Sequence, residues 1–230
     1  MINDESKIKK SYKGVAMEGF IARWYAKNTK GNMEQYENWA KLVVENITEG
    51  SSVLEVAPGP GYLSINLAKL GNYKVTGMDI SKTFVEIEKA NAEEAGVNAE
   101  FVHGDASDMP FDNETFDFII CTAAFKNFTK PIKALNEMHR VLKPQGKALI
   151  IDLRRDASKE AINKGVDDMG LNWINTLFTK FTFRFGLLRS AYTINEIKEL
   201  VSHTKFRKCE ILEDRRDPIG FELWLEKGLN

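Results

Sequence analysis

The sequence predicts a doubly wound α/β fold, and three observations carry that expectation. The middle of the chain alternates apolar, strand-like runs with runs of helical periodicity. The first strand-like run ends in a Pro- and Gly-rich turn, Ala57-Pro58-Gly59-Pro60-Gly61, and the second ends in an isolated carboxylate, Asp79. Alternation of this kind folds as a mostly parallel sheet covered on both faces. Glycines without a Cβ let the backbone and a helix N-terminus come close to a ligand. A carboxylate at the tip of the neighbouring strand can accept both hydroxyl hydrogens of a ribose. The unit reads as the nucleoside-binding half of such a sheet.

The elements follow in order. Residues 1–49 read as a helical cap: Met33, Tyr36, Trp39, Ala40, Val43, Val44 and Ile47 recur at helix-face spacing. A shorter helix around Phe20–Tyr25 is separated from it by Asn28-Thr29-Lys30-Gly31-Asn32. Residues 50–153 form the core, with strands at Ser52–Val56, Lys74–Met78, Glu100–His103, Phe116–Thr122 and Lys147–Leu153. Helices are expected at Tyr62–Leu70, Thr83–Ala95 and Ile132–Leu142, stopped by Gly71, Gly96 and the Pro144-Gln145-Gly146 turn. Thr129 is the expected cap of the third, with Pro131 in its first turn. Residues 154–192 break the rhythm with a helical stripe of Trp173, Leu177, Phe178, Phe181, Phe185 and Leu188, read as a helical lid over the ligand-binding edge. In 193–230, Thr193 and Glu196 make a capping-box signature for a helix to about His203. Two strand-like runs, Lys208–Glu213 and Phe221–Glu226, close the chain as a hairpin, which sets the last strand antiparallel to the rest.

Composition bounds the function. The chain has 230 residues, 43% hydrophobic and 28% charged, the balance of a soluble globular domain. A net charge of −1 gives no attraction to bulk nucleic acid or anionic membrane. No apolar run approaches a membrane span and the N-terminus has no apolar signal core, so a cytoplasmic protein is expected. Cys121 and Cys209 lie in apolar runs and are expected as buried free thiols. Together with three scattered histidines they make no metal site.

Several ordered motifs then resemble the class I S-adenosylmethionine-dependent methyltransferases, most closely the small-molecule branch of ubiquinone/menaquinone-biosynthesis type. Glu55-Val56-Ala57-Pro58-Gly59-Pro60-Gly61 resembles the acidic-x-G-x-G-x-G nucleoside turn, with Ala57 in place of its first glycine. Asp79-Ile80-Ser81 resembles the ribose-binding strand end, and Gly104-Asp105-Ala106-Ser107-Asp108-Met109-Pro110-Phe111 the adenine-contacting segment. Phe116–Thr122 is similar to the fourth strand and Arg140–Lys147 to the turn into the fifth. The resemblance implies a Rossmann-like doubly wound seven-stranded sheet with an antiparallel last strand, N-terminal helices and a helical lid insertion.

It also implies S-adenosyl-L-methionine as cofactor, S-adenosyl-L-homocysteine as product, and direct methyl displacement onto a small-molecule acceptor. Gly59 and Gly61 would admit the cofactor, with Ala57 shifting the backbone contacts slightly. Glu55 would anchor the loop, cap neighbouring N–H groups, or reach the cofactor's ammonium through water. Asp79 and Ile80 would hold the ribose. Asp105 and Ala106 would meet adenine, with Asp108 a solvated neighbour, and Cys121 would lie beneath the cofactor without acting as a nucleophile. Tyr25 would close over the methionine end as the one catalytic candidate. Trp24, Phe125, Lys126, Asn127, Phe128 and Arg154 would line the acceptor pocket; Lys126 would pair with an anionic substrate or stay solvated, and Arg155 would face away. Neither His103 nor His139 projects toward the methyl. Displacement from a sulfonium needs alignment in a dry site and requires a base only if the nucleophile must lose a proton. An RNA or protein methyltransferase and a non-catalytic cofactor sensor are the alternatives; no basic tract and no Asn-Pro-Pro-Tyr-like motif after the fourth strand supports the former.

Overall fold

The computed structural model describes Lys13 and residues 17–29, 33–167, 187–213 and 218–229. Seven strands form one sheet: β1 (Ser52–Val56), β2 (Lys74–Asp79), β3 (Ala99–His103), β4 (Phe116–Thr122), β5 (Leu142–Leu153), β6 (Lys208–Glu213) and β7 (Gly220–Glu226). Their order is β3-β2-β1-β4-β5-β7-β6. The first five pair in parallel, and β7 runs antiparallel to both of its neighbours. The helices are α1 (Gly19–Thr29), α2 (Met33–Val44), α3 (Tyr62–Leu70), α4 (Lys82–Ala95), α5 (Pro131–Val141), α6 (Lys159–Asp167) and α7 (Ile194–Ser202). This is the Rossmann-like, seven-stranded arrangement expected from the sequence. No described helix is long and apolar enough to cross a membrane.

The two-residue period of each central strand builds the layers. Val53, Phe118, Ile120 and Leu149 face one side, where Trp39, Ala40 and Val43 of α2 and Leu63 and Leu67 of α3 cover them. Leu54, Val56, Ile119, Cys121 and Ile150 face the other, against Leu135 and Met138 of α5 and Ile197 and Val201 of α7. Strands buried on both faces read as continuous apolar runs, which is why they were legible. Beside them, α4 packs Val85 and Ala92 against Phe101 of β3 and Ile65 of α3.

Some expectations change. Thr129 is not the cap of α5: the N-cap position is Lys130, which makes no side-chain capping bond, and Pro131 opens the helix. The Pro144-Gln145-Gly146 segment does not separate helix from strand. β5 already begins at Leu142, and the chain kinks within it at Gln145, whose φ is +64°, with a register shift against β4. Cys209 is exposed rather than buried, because β6 is the edge of the sheet and carries mostly exposed residues. The capping box at Thr193 forms with both reciprocal bonds in place. Most of the expected lid stripe, Trp173 to Phe185, and residues 214–217 of the hairpin loop lie outside the described residues.

Gly77 ties this packing to the ligand-binding edge. A Cβ there would stand 2.5 Å from Phe101 Cδ1 and 3.1 Å from Pro58 Cγ. The bare Cα of β2 therefore receives the Phe101 ring and the first proline of the Gly-rich turn. Gly77→Ala is expected to cost about 1–3 kcal/mol in urea denaturation, the usual penalty for overpacking a core. The double variant with Phe101→Leu should recover part of that loss; equal stability of Gly77→Ala and the parent would contradict the contact.

Candidate functional site

The site lies at the carboxyl ends of β1 and β2. The chain leaves β1 through three left-handed residues, Ala57 (φ +58°), Gly59 (+60°) and Gly61 (+79°), separated by two prolines. Ala57 holds a conformation that costs an L-residue roughly 1–2 kcal/mol, so this position asks for the glycine the sequence lacks. The turn's N–H groups are engaged. Ala57 N–H donates to Met78 O (2.8 Å), Gly59 N–H to the Asp79 carboxylate (3.2 Å) and Gly61 N–H to Pro58 O (3.1 Å). Prolines 58 and 60 have none to offer. What the turn itself turns outward is bare glycine Cα surface. The atom that a Cβ on Gly59 would meet is Tyr25 Cε1, 3.9 Å away, so α1 lays an aromatic ring over this surface.

Asp79 ends β2 almost wholly buried. Its Oδ1 accepts from Ser81 N–H (2.8 Å) and its Oδ2 from Gly59 N–H. A carboxylate has about four lone-pair positions, so both oxygens retain acceptor capacity for a diol. Burial pushes its pKa up to about 7; the hydrogen bonds from Ser81 and Gly59 oppose this, and the Glu18 charge adds to it. Ile80 follows on the same edge, its carbonyl 3.1 Å from His103 Nε2. These features fit a ribose and its attached chain: acceptor capacity at a strand tip beside a Cβ-free surface roofed by an aromatic ring.

Glu55 takes the capping role. Its Oε2 accepts from Ser64 N–H (2.9 Å) and Ser64 Oγ (2.5 Å), placing a carboxylate on the N-terminal turn of α3, where the helix dipole favours it. Burial raises its pKa to about 7. Glu88 of α4 was not foreseen. It is fully buried, its stem 3.2 Å from a Cβ placed on Gly61, and neither carboxyl oxygen has a hydrogen-bond partner among the described residues. Burial first, then the charges of Asp79 and Glu55, raise its pKa to about 10. The signal was present in the sequence: Glu88 continues the apolar stripe of Phe84, Val85 and Ala92, where a carboxylate has no ordinary place.

Beyond β3, Asp105 Oδ1 accepts from Ser107 N–H (2.8 Å), which folds the segment carrying Ala106 into a tight turn, with Asp108 exposed. Cys121 is completely buried, and burial raises its thiol well above the ordinary range, so it packs as a neutral group. Burial likewise raises the Tyr25 phenol, which is a donor and packing surface rather than a poised base.

The expected acceptor pocket is revised most. Lys126 is neither solvated nor free for an anion: its Nζ pairs with Asp152 Oδ1 at 2.8 Å and donates to Ala123 O at 2.5 Å, in a largely buried setting. Phe125 is fully buried, packed against Phe128 and Tyr192. Arg154 pairs with Glu213 on β6 at 3.0 Å, while its Nε is buried without a partner among the described residues. Arg155 bonds Glu196 and Ala191 O. Asn127 accepts from Lys13 N–H through its carbonyl (2.7 Å), and Lys13 Nζ donates to the Tyr192 hydroxyl (2.7 Å). Trp24 stands exposed on α1. No cluster of three metal-ligating side chains occurs among the described residues.

Residues 53–146 match a methyltransferase domain family. Demethylmenaquinone methyltransferase of Staphylococcus epidermidis is 32% identical over 152 residues, 64% of this chain and 63% of that protein. The aligned stretch thus spans less than two thirds of that relative. The Staphylococcus haemolyticus protein of the same name is 28% identical over 90% of both chains. A solved structure of a putative S-adenosyl-L-methionine-dependent methyltransferase from Methanococcus maripaludis superposes with a TM-score of 0.72 at 19% identity, covering 95% of this chain and 97% of that one.

The raised carboxyls dictate how stability depends on pH. Below their unfolded values, 4.5 for Glu88 and Glu55 and 3.8 for Asp79, native and unfolded states are equally protonated. As pH rises, the unfolded chain sheds protons that the fold retains, so stability falls through about 7 for Asp79 and Glu55 and up to about 10 for Glu88. Glu88→Met is expected to melt higher than the parent at pH 8 and to exceed it by less at pH 5. Parallel melting curves across that range would contradict the burial of an unpartnered acid.

Proposed function

We propose that the chain is a class I S-adenosylmethionine-dependent methyltransferase that transfers the methyl group of S-adenosyl-L-methionine to a small-molecule acceptor by direct displacement; the methyltransferase-domain match over residues 53–146 and the fold support that reading. The observation that carries this reading is the pairing of Asp79, with acceptor capacity left on a buried strand tip, with the bare Gly59 surface beneath Tyr25. Asp79 would hold the ribose diol. Gly59 and Gly61 would admit the sulfonium-bearing chain, and the turn at Asp105–Ala106 would flank the base. When bound, the cofactor supplies an electrophilic methyl on a good leaving group.

The protein's own part is alignment and exclusion of water. Tyr25 closes one side of the crevice and packs edge-to-face on Phe84, ring centres 6.0 Å apart. Near its other side the loop after β4 is pinned by the Lys126–Asp152 pair and by Lys13. Holding a nucleophile behind a methyl in such a site is worth orders of magnitude without any base. A proton on the acceptor, where there is one, leaves by a route that depends on the acceptor. Because the curated relatives carry that name, demethylmenaquinone is the first acceptor to test, in its reduced form, since displacement at a sulfonium needs an electron-rich partner.

Calorimetry with S-adenosylhomocysteine, followed by turnover assays on the reduced quinone and on thiol, amine and phenol acceptors, tests the proposal. Absence of binding would overturn it, and binding without turnover on any acceptor would leave a cofactor sensor in its place. Asp79→Ala is expected to weaken binding by about 2–3 kcal/mol, roughly 30- to 150-fold, for two lost charge-assisted bonds. Because a ribose bonds best to the ionised carboxylate, parent affinity should also rise as pH increases through about 7. An Asp79→Ala variant with unchanged affinity would remove the residue from the site.

A further inference from the structure

The segment that crosses the crevice is fastened at one end by an acid the proposed chemistry does not use. Glu18 immediately precedes α1. Its Oε1 accepts from Lys82 N–H (2.9 Å), and its Oε2 accepts from Thr83 N–H (3.2 Å) and Thr83 Oγ1 (2.6 Å). The next residue returns the contact, Gly19 N–H donating to Thr83 Oγ1 at 3.0 Å. These partners are the first two residues of α4, whose backbone N–H groups would otherwise lack acceptors and whose dipole favours an anion. The cap residue of that helix, Ser81, already spends its own Oγ on Phe84 N–H. Glu18 therefore supplies a second cap from a segment more than sixty residues distant in sequence, and four bonds join two residues on each side.

Those bonds complete a ring of contacts around the crevice. Asp79 holds Ser81 N–H and Gly59 N–H; α4 holds Glu18 and Gly19; α1 carries Tyr25, which rests on Phe84 of α4 and lies over Gly59. Among the described residues the first half of α1 has few other contacts: Phe20 and Trp24 are exposed, the helix's buried residues are Ala22 and Ala26, and Arg23 meets Glu86 at 3.7 Å with both side chains in solvent. A surface pair of that kind contributes little. The Tyr62 hydroxyl reaches Ala26 O at 3.2 Å near the far end of the helix, where Thr29 also bonds Tyr36 of α2.

We propose that Glu18 is the latch that keeps α1 and its Tyr25 closed over the cofactor crevice, a positioning residue that sets how fast bound cofactor escapes. The inference rests on the cofactor reading above and goes beyond it by naming the group that controls closure. Glu18 acts through the placement of Tyr25; its charge also adds to the raised pKa of Asp79, but removing it would favour the ionised carboxylate and slow escape, the opposite of what loss of the latch does. Loss of a side-chain cap typically shifts an equilibrium about fivefold, so Glu18→Ala should open the crevice by about that factor. Glu18→Gln, which keeps an amide oxygen as acceptor but puts a donor where the second carboxylate oxygen was, should fall between Ala and the parent.

The test is a chase of bound radiolabelled S-adenosylmethionine by excess S-adenosylhomocysteine, run on the full chain beside amide hydrogen exchange without ligand. The latch predicts dissociation about fivefold faster in Glu18→Ala, a smaller increase in Glu18→Gln, and faster exchange over residues 19–29 with unchanged protection in β1, β4 and β5. Release at the parent rate in both variants, or unchanged exchange over 19–29, would overturn it. Exchange accelerated through the whole core would also overturn it, since Glu18 would then stabilise the fold at large. A parent that retains no labelled ligand fails the cofactor reading itself, whereas a parent that retains it as long as both variants fails only the latch.

Discussion

Asp79 is the constraint on which the rest of the crevice depends. One carboxylate, at the end of one strand, holds the turn that leaves the neighbouring strand and the first residue after its own. The turn cannot relax away from β2 while Gly59 N–H is bonded to that carboxylate, and α4 starts where Ser81 is held. Burying the group raises its pKa to about 7, so the contact that organises the crevice is also charged against its surroundings. Glu55 and Glu88 deepen this tension, since both carboxyls are buried nearby and raised by burial and by charge. Perturbed acids of this sort gather where a structure gives up stability for a site.

The turn illustrates how sequence and geometry divide the work. A run of alternating prolines and left-handed residues leaves few donors facing outward, and those that exist are satisfied inside the protein. What the turn offers outward is then shape rather than hydrogen bonding: a place where no Cβ projects, beside an aromatic ring. Ala57 occupies a left-handed position at some cost, and the close fit of Pro58 near Gly77 and Phe101 holds the turn in that form.

Much of the fold was legible because it follows local rules. Doubly buried strands announce themselves as apolar runs, the glycines mark the turn, Asp79 stands alone at a strand end, and a short connection between the last two strands forces them antiparallel. What was not legible is set by partners far away in sequence. Nothing near Lys126 announces Asp152, so a buried pair read as a cation free for an anionic substrate or for solvent. Nothing near Glu18 announces Thr83. Cys209 sits in an apolar run, but only the strand order reveals that β6 is an edge. Arg154 leaves β5 beside the site, and its guanidinium pairs with Glu213 of β6. Residues expected on the acceptor side were the least legible of all, since Lys126, Phe125 and Arg154 are held by partners within the protein.

A crystal structure with S-adenosylhomocysteine tests the central claim most directly. The account predicts the ribose diol at hydrogen-bonding distance from both Asp79 oxygens, the homocysteine chain lying over Gly59, and the Tyr25 ring closing above it. A ligand bound elsewhere on the sheet, or a crevice between β1 and β2 filled by side chains in its presence, would contradict it.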